Sequence, residues 1–168
     1  FNWAGQDVQF PWEDCPRRHH RKLMQMGAFH IDRHPVTNAQ FKAFIDATGY
    51  HPADDINFLA HWVDGAPRAG WDNKPVIWVS LEDARAYAAW AGKRLPHEWE
   101  WQYAAQGNDG RTYPWGNDWD QSRVPQVNRG RRLLAPADVD AHPQGASPFG
   151  VEDLVGNVWQ WTDEFSDE

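Results

Sequence analysis

Twelve tryptophans in 168 residues constrain this fold more than any other feature of the chain. An indole buries a large apolar area and carries one N–H that needs an acceptor once it leaves water. With four tyrosines beside them, the core is expected to be aromatic and threaded with hydrogen bonds. A mean hydropathy of −0.79 does not oppose this, because that scale scores Trp and Tyr as polar. The length suits one domain, and 41% hydrophobic residues suffice for a core. No repeat or low-complexity stretch marks a boundary, so residues 1–168 read as a single unit.

A formal charge of −8 argues against nucleic acid or an anionic membrane as partner, since both select for clustered Lys and Arg. The basic runs Arg17-Arg18-His19-His20-Arg21-Lys22 and 129–132 read as solvated loops. No stretch approaches the roughly 18 apolar residues of a membrane span, and the N-terminus lacks a signal-peptide pattern. A soluble protein is expected, with a cytoplasmic location favoured; the missing initiator Met suggests that residues precede Phe1.

Residues 1–27 read as loop and residues 29–32 as a short strand. Thr37-x-x-Gln40 matches a capping box, with Phe41, Phe44, Ile45 and Thr48 at helical spacing and Gly49 as the stop. Residues 50–74 read as a long ordered loop and residues 75–79 as a buried strand. Ser80 and Asp83 cap a second helix with Ala84, Tyr87, Ala88 and Ala91 on one face, ended by Gly92. A third helix starts near Pro96-His97-Glu98 and runs to about Gln106, with Gly107 beyond. Two or three helices beside short strands and long loops make an α+β pattern.

Several punctuated motifs then fall in one order: Phe29-His30-Ile31-Asp32 and Pro35-Val36-Thr37-Asn38-Ala39-Gln40-Phe41, followed by Pro75-Val76, Val79-Ser80, Asp83-Ala84 and Tyr87. Next come Lys93-Arg94-Leu95-Pro96-His97-Glu98-Trp99-Glu100-Trp101, Tyr113-Pro114-Trp115-Gly116-Asn117, Ser147-Pro148-Phe149-Gly150-Val151 and Gly156-Asn157-Val158-Trp159-Gln160-Trp161-Thr162. Across residues 29–162 the chain resembles the formylglycine-generating enzymes, or sulfatase-modifying factors. Their relatives include the C-terminal domains of ergothioneine-type sulfoxide synthases and a class of binding proteins. The resemblance implies a C-type-lectin-like fold, a scaffold that serves both catalysis and ligand binding. The motifs also have structural readings. Pro114 and Gly116 turn the chain so that Tyr113 and Trp115 enter the core. Alternation puts Val158, Gln160 and Thr162 on one side of a strand and Trp159 and Trp161 on the other.

The resemblance implies oxidation of a sulfatase-type cysteine peptide, or of a small thiol, with molecular oxygen, using copper held by a cysteine pair. Cys15 is the one cysteine here, so no disulfide or thiolate pair forms within the chain. Copper is expected only if a cysteine pair follows Glu168, and no catalytic residue is assigned. His30 and His34 have helical metal-ligand spacing, but in an extended chain they stand roughly 13 Å apart at about 3.3 Å per residue. Glu98 and Glu100, two apart on a helix, point different ways and read as structural. Calcium is the metal the resemblance supports: side-chain oxygens of Asp153 and Gln160 with the carbonyls of Gly156 and Val158, although Gln160 stands where the family usually has Glu. Oxygen ligands in a tight glycine-containing loop suit a hard cation. Trp99, where Ala is usual, needs a neighbouring loop packed differently.

An oxidoreductase of this family is therefore expected, lacking the catalytic pair in these residues. The alternative is a non-catalytic ligand- or protein-binding module on the same scaffold. The domain is expected to be incomplete at its C-terminus, its Trp-rich strand covered by a later segment or a second chain.

Overall fold

The computed structural model describes residues 1–6, 19–126 and 135–163. Cys15 and Arg17, Arg18, Arg129, Arg131 and Arg132 lie outside them. Two strands, β1 (Asn2–Gln6) and β2 (His19–Leu23), form an antiparallel ladder pairing Asn2 with Leu23 and Gln6 with His19. Three helices follow, α1 (Asn38–Thr48), α2 (Leu81–Trp90) and α3 (Glu98–Gln106). Two short 3-10 turns, Gln121–Arg123 and Pro143–Gly145, interrupt the chain beyond them.

The helices start and stop on the residues that can cap them. The Thr37 hydroxyl accepts from the Gln40 amide while the Gln40 side chain accepts from the Thr37 amide, and Gly49 closes α1 at φ 65°. Ser80 and Asp83 make the same reciprocal pair at α2. At α3 the box is acidic: Glu100 accepts from the His97 amide, and Gly107 follows the last turn at φ 68°.

The expected strands did not form as ladders. Residues 29–32 run as irregular chain, and residues 75–79 make only an isolated bridge between Pro75 and Thr37 and one bond from the Val76 amide to the Val36 carbonyl. The reason for the second lies in one residue. Trp78 adopts φ 58°, which turns its carbonyl toward the Leu59 amide at 2.9 Å and breaks the strand period. Conversely, the ladder that does exist lies in residues 1–27, expected to be loop. Residues 158–162 keep the expected alternation, with Val158, Gln160 and Thr162 half-buried and Trp159 and Trp161 exposed, but pair with no strand among the described residues.

Two apolar clusters organise the fold. Phe41 stacks on Tyr87 with centroids 5.6 Å apart, and Phe44 meets both edge-on, so α1 and α2 interlock through aromatic rings. At the first residue of α1 the fully buried Asn38 donates its amide to the carbonyls of Trp71, Lys74 and Pro75 and accepts from the Trp62 indole at 2.8 Å. That one side chain stitches the long loop of residues 50–74 to the helix. The second cluster sets Ala104 and Ala105 of α3 against Val151 and Leu154, with Ile31 and Trp101 alongside.

The loops between the clusters are held by close contacts. A Cβ on Gly145 would lie 2.3 Å from the Arg123 carbonyl oxygen, so the two 3-10 turns touch through backbone. Tyr113 and Trp115 stack at 5.3 Å, but on each other at half-burial. It is Pro114 between them that is buried, against the expectation of an aromatic pair in the core.

Candidate functional site

Segments far apart in sequence line a single cleft of about 1640 Å³. Its walls take Phe29 to Asp32, Pro35, Val36, Val76, Val79, Tyr87, Lys93 to Pro96, Glu100, Trp101, Val151 and Gly156 to Trp161. The motif segments that carry the resemblance therefore converge on one concavity, all but residues 113–117.

One wall is the stretch from Asp153 to Asp163, and hydrogen bonds rather than a ladder hold it. Gln160 donates its amide to the Asp153 carbonyl at 2.9 Å and accepts from the Trp101 indole at 2.7 Å. The Trp161 indole donates to the Val79 carbonyl, the Asp163 amide to the Pro96 carbonyl, and Arg85 pairs with the Asp163 carboxylate. The first bond closes the wall on itself, and the others tie it to α3, to the residue before the α2 cap, to the turn between the two helices and to α2. The two Trp side chains of the wall leave the core as Trp159, fully exposed, and Trp161, half-exposed.

On the α3 side of the cleft the charge is paired. Arg94 grips the Glu100 carboxylate with two nitrogens at 2.7 Å each. That grip, helped by the His97 amide, holds the Glu100 carboxyl below its ordinary value despite partial burial. Glu100, not Glu98, is the buried carboxylate of the pair considered from sequence, and it is committed to structure. Trp99 is half-buried and stacks on His97 with centroids 4.6 Å apart, which places the indole on its own helix start.

At the edge of the cleft lie the residues expected to hold calcium. Asp153 is buried, in left-handed backbone at φ 57°, and Oδ2 of its carboxylate has no hydrogen-bond partner among the described residues. Burial pushes its carboxyl up to about 6, partly offset by the Asn157 amide, raised further by Glu152, and lowered by His34 and His142. Neighbouring Glu152 is buried too, but Arg33 binds its carboxylate and His34 stands 3.8 Å away. Gly156 takes φ 85°, a turn suited to glycine, and a Cβ there would lie 3.3 Å from the Val124 side chain. An orphaned buried carboxylate oxygen is what a cation site leaves when nothing else satisfies it. The donor set fits a hard cation with one reservation: the Gln160 oxygen already accepts one hydrogen bond and has a single lone pair left. His30 and His34 both sit in irregular chain, and no group of three or more His, Cys, Asp or Glu side chains among the described residues is placed to hold a metal.

Sequence reasoning missed three residues of this region. Glu152 looked like loop, yet it is the most buried carboxylate beside the cleft. Trp78, in an apolar run, gave no sign of its positive φ. His61 was unremarked in its loop, yet it is buried, lines the cleft and bonds to Asn38. No helix among the described residues is long and apolar enough to cross a membrane.

Comparison with known proteins agrees with this convergence of motifs. The family model described as the sulfatase-modifying factor enzyme 1-like domain matches residues 7–168. The formylglycine-generating enzyme of Mycobacterium tuberculosis is 36% identical over 193 residues, covering 80% of this chain and 63% of that protein. The hercynine oxygenase of Mycolicibacterium thermoresistibile is 36% identical over 169 residues, covering 83% of this chain and 36% of that protein. The mouse formylglycine-generating enzyme is 32% identical over 192 residues, covering 86% of this chain and 51% of that protein. The chain thus spans less than two thirds of each of these relatives.

Proposed function

Because the chain belongs to the sulfatase-modifying factor enzyme 1-like domain family, we propose that it holds the substrate in an oxidoreductase that oxidises a cysteine or small thiol with molecular oxygen. The observation that carries this is the convergence of the motif segments on one cleft. Catalysis needs a reactant held and shielded by groups on fixed elements, and the cleft walls are tied to α2 and α3 by directed hydrogen bonds. The C-type-lectin-like scaffold of the family is proposed with it.

Cys15 is the one thiol in the sequence, so these residues do not fit a two-cysteine copper centre. Their part is binding, orientation and exclusion of water. Calcium is proposed at Asp153, with Gly156, Val158 and Gln160 supplying the remaining oxygens. When bound it supplies a fixed positive charge that satisfies the Asp153 carboxylate. The Gln160 amide then anchors the loop to Trp101 and so to α3.

The test uses the full-length protein with a sulfatase-type cysteine peptide and, separately, free cysteine. Thiol-dependent oxygen uptake with a matching mass change in the product is expected. Residues 1–168 alone are expected to give no aldehyde, even with added copper.

The exposed indoles of Trp78, Trp159 and Trp161 favour a second reading, a binding module without catalysis on the same scaffold. Saturable binding of a thiol or peptide without oxygen uptake would select it. In both readings that aromatic face is proposed to be covered by a further segment or a second chain, and residues 1–168 alone are expected to self-associate through it. A monodisperse 19.4 kDa monomer in light scattering would remove that expectation.

A further inference from the structure

A different part of the cleft carries chemistry that the reading above leaves unused. The three carbonyls that accept from the Asn38 amide nitrogen fix which way that amide faces. Its oxygen must therefore be the atom facing the Trp62 indole and His61 Nε2, the latter at 2.7 Å. An amide oxygen cannot donate, so Nε2 of His61 carries the proton and Nδ1 is left with a bare lone pair.

Burial, with the Arg68 charge acting in the same direction, lowers the His61 pKa to about 4, so the ring stays neutral near pH 7. The ring is about 95% buried, and Nδ1 has no hydrogen-bond partner among the described residues. Folding has thus prepared an acceptor and given it no donor, which is costly unless something else supplies one.

The surroundings say what that is. His61, Arg68 and Trp71 all line the cleft. The Trp71 ring lies 5.5 Å from the His61 ring, and the Arg68 guanidinium sits over the other partner of that pair, 5.8 Å from the Trp71 centroid. Arg68 is exposed and forms no ion pair among the described residues, whereas Arg33, Arg85, Arg94, Arg111 and Arg123 each hold a carboxylate. A planar fork of donors free to take a carboxylate stands beside a buried acceptor that needs a donor.

We propose that His61, Arg68 and Trp71 form a subsite for a small carboxylate bearing a neutral hydrogen-bond donor, the chemistry of an α-hydroxy acid. The carboxylate lies on the Arg68 guanidinium, the hydroxyl donates to His61 Nδ1, and the carbon body rests against Trp71. A hydroxyl suits the place better than an ammonium, because the guanidinium nearby repels a second positive charge.

The experiment titrates the protein at pH 7.5 with glycolate, acetate, glycine and inorganic phosphate, followed by calorimetry and by the ¹⁵N resonances of the His61 ring. Glycolate is expected to bind saturably and to shift the Nδ1 resonance, while Nε2 stays protonated. Acetate, which leaves Nδ1 without a donor, should bind about 10-fold more weakly, as should glycine. Arg68→Gln, at an exposed position that leaves the Asn38 network whole, should weaken glycolate at least about 10-fold. Glycolate and acetate binding alike would show that Nδ1 is not contacted and overturn the proposal. So would an unmoved Nδ1 resonance, preferential binding of phosphate, or affinity unchanged in Arg68→Gln.

Discussion

At the start of α1 the buried Asn38 is bonded at both ends of its amide, whereas in the loop after Val151 the buried Asp153 keeps a carboxylate oxygen with no partner among the described residues. Both side chains are polar and both are shut away from water. The first closes its own hydrogen bonds and ties a loop to a helix. The second is held in left-handed backbone with its charge discouraged, which is a cost that folding alone does not recover. Satisfied burial marks where this chain is built, and unsatisfied burial marks where it waits for something.

The hardest way to break the comparison is to empty the satisfied side. Asn38→Ala strands three carbonyls, an indole N–H and the His61 N–H at once, and unsatisfied buried groups cost about 1–3 kcal/mol each. We expect a loss of about 4 kcal/mol or more in denaturant unfolding, a large share of the roughly 5–15 kcal/mol of an ordinary domain. A loss under about 1 kcal/mol would mean that the network contributes little. Close behind comes Phe41→Ala, which removes the ring stacked on Tyr87 and leaves a cavity between α1 and α2. About 3–5 kcal/mol is expected, read from the same curves.

The two sides should also answer pH in opposite senses. His61 has its pKa lowered in the fold from 6.5 to about 4, so the unfolded chain binds more protons between those values and stability rises with pH through that window. Asp153 has its pKa raised from 3.8 to about 6, so its contribution is present below about pH 4 and lost as pH rises through 6. In the metal-free wild type the two slopes oppose each other. Asp153→Asn should remove the opposing slope, leaving the rises from His61 and from Glu100, and so give stability that climbs from pH 4 to 6.5 and exceeds the wild type at pH 7.5. A variant whose pH profile runs parallel to the wild type would show that Asp153 does not titrate as described.

The smallest effect belongs to a cap. Ser80→Ala removes the hydroxyl that accepts from the Asp83 amide and should cost about 1 kcal/mol, well below the Asn38 and Phe41 losses.

The helices were legible in the sequence because their caps are local chemistry: Thr37 with Gln40, Ser80 with Asp83, and the glycines after each last turn need no tertiary context. The strands were not, because a ladder needs a backbone neighbour that a single segment does not declare. Residues 75–79 had the composition of a strand and lost it at Trp78, whose backbone answers to Leu59 far away in the chain. The same limit applies to the site. The loop from Asp153 to Gln160 could be named from its resemblance, but the burial of Glu152, the orphaned Asp153 oxygen and the fixed tautomer of His61 are tertiary facts. Each is set by residues more than twenty positions distant or by packing.

The most direct measurement is thermal unfolding at pH 7.5 with millimolar calcium against chelator, for the wild type and for Asp153→Asn. If the unpartnered carboxylate is a cation ligand, calcium stabilises the wild type by about 2.7 kcal/mol near a hundred times its Kd, and leaves the variant unchanged. Melting curves of the wild type that coincide with and without the ion, or a variant that gains as much as the wild type, would contradict the assignment of Asp153.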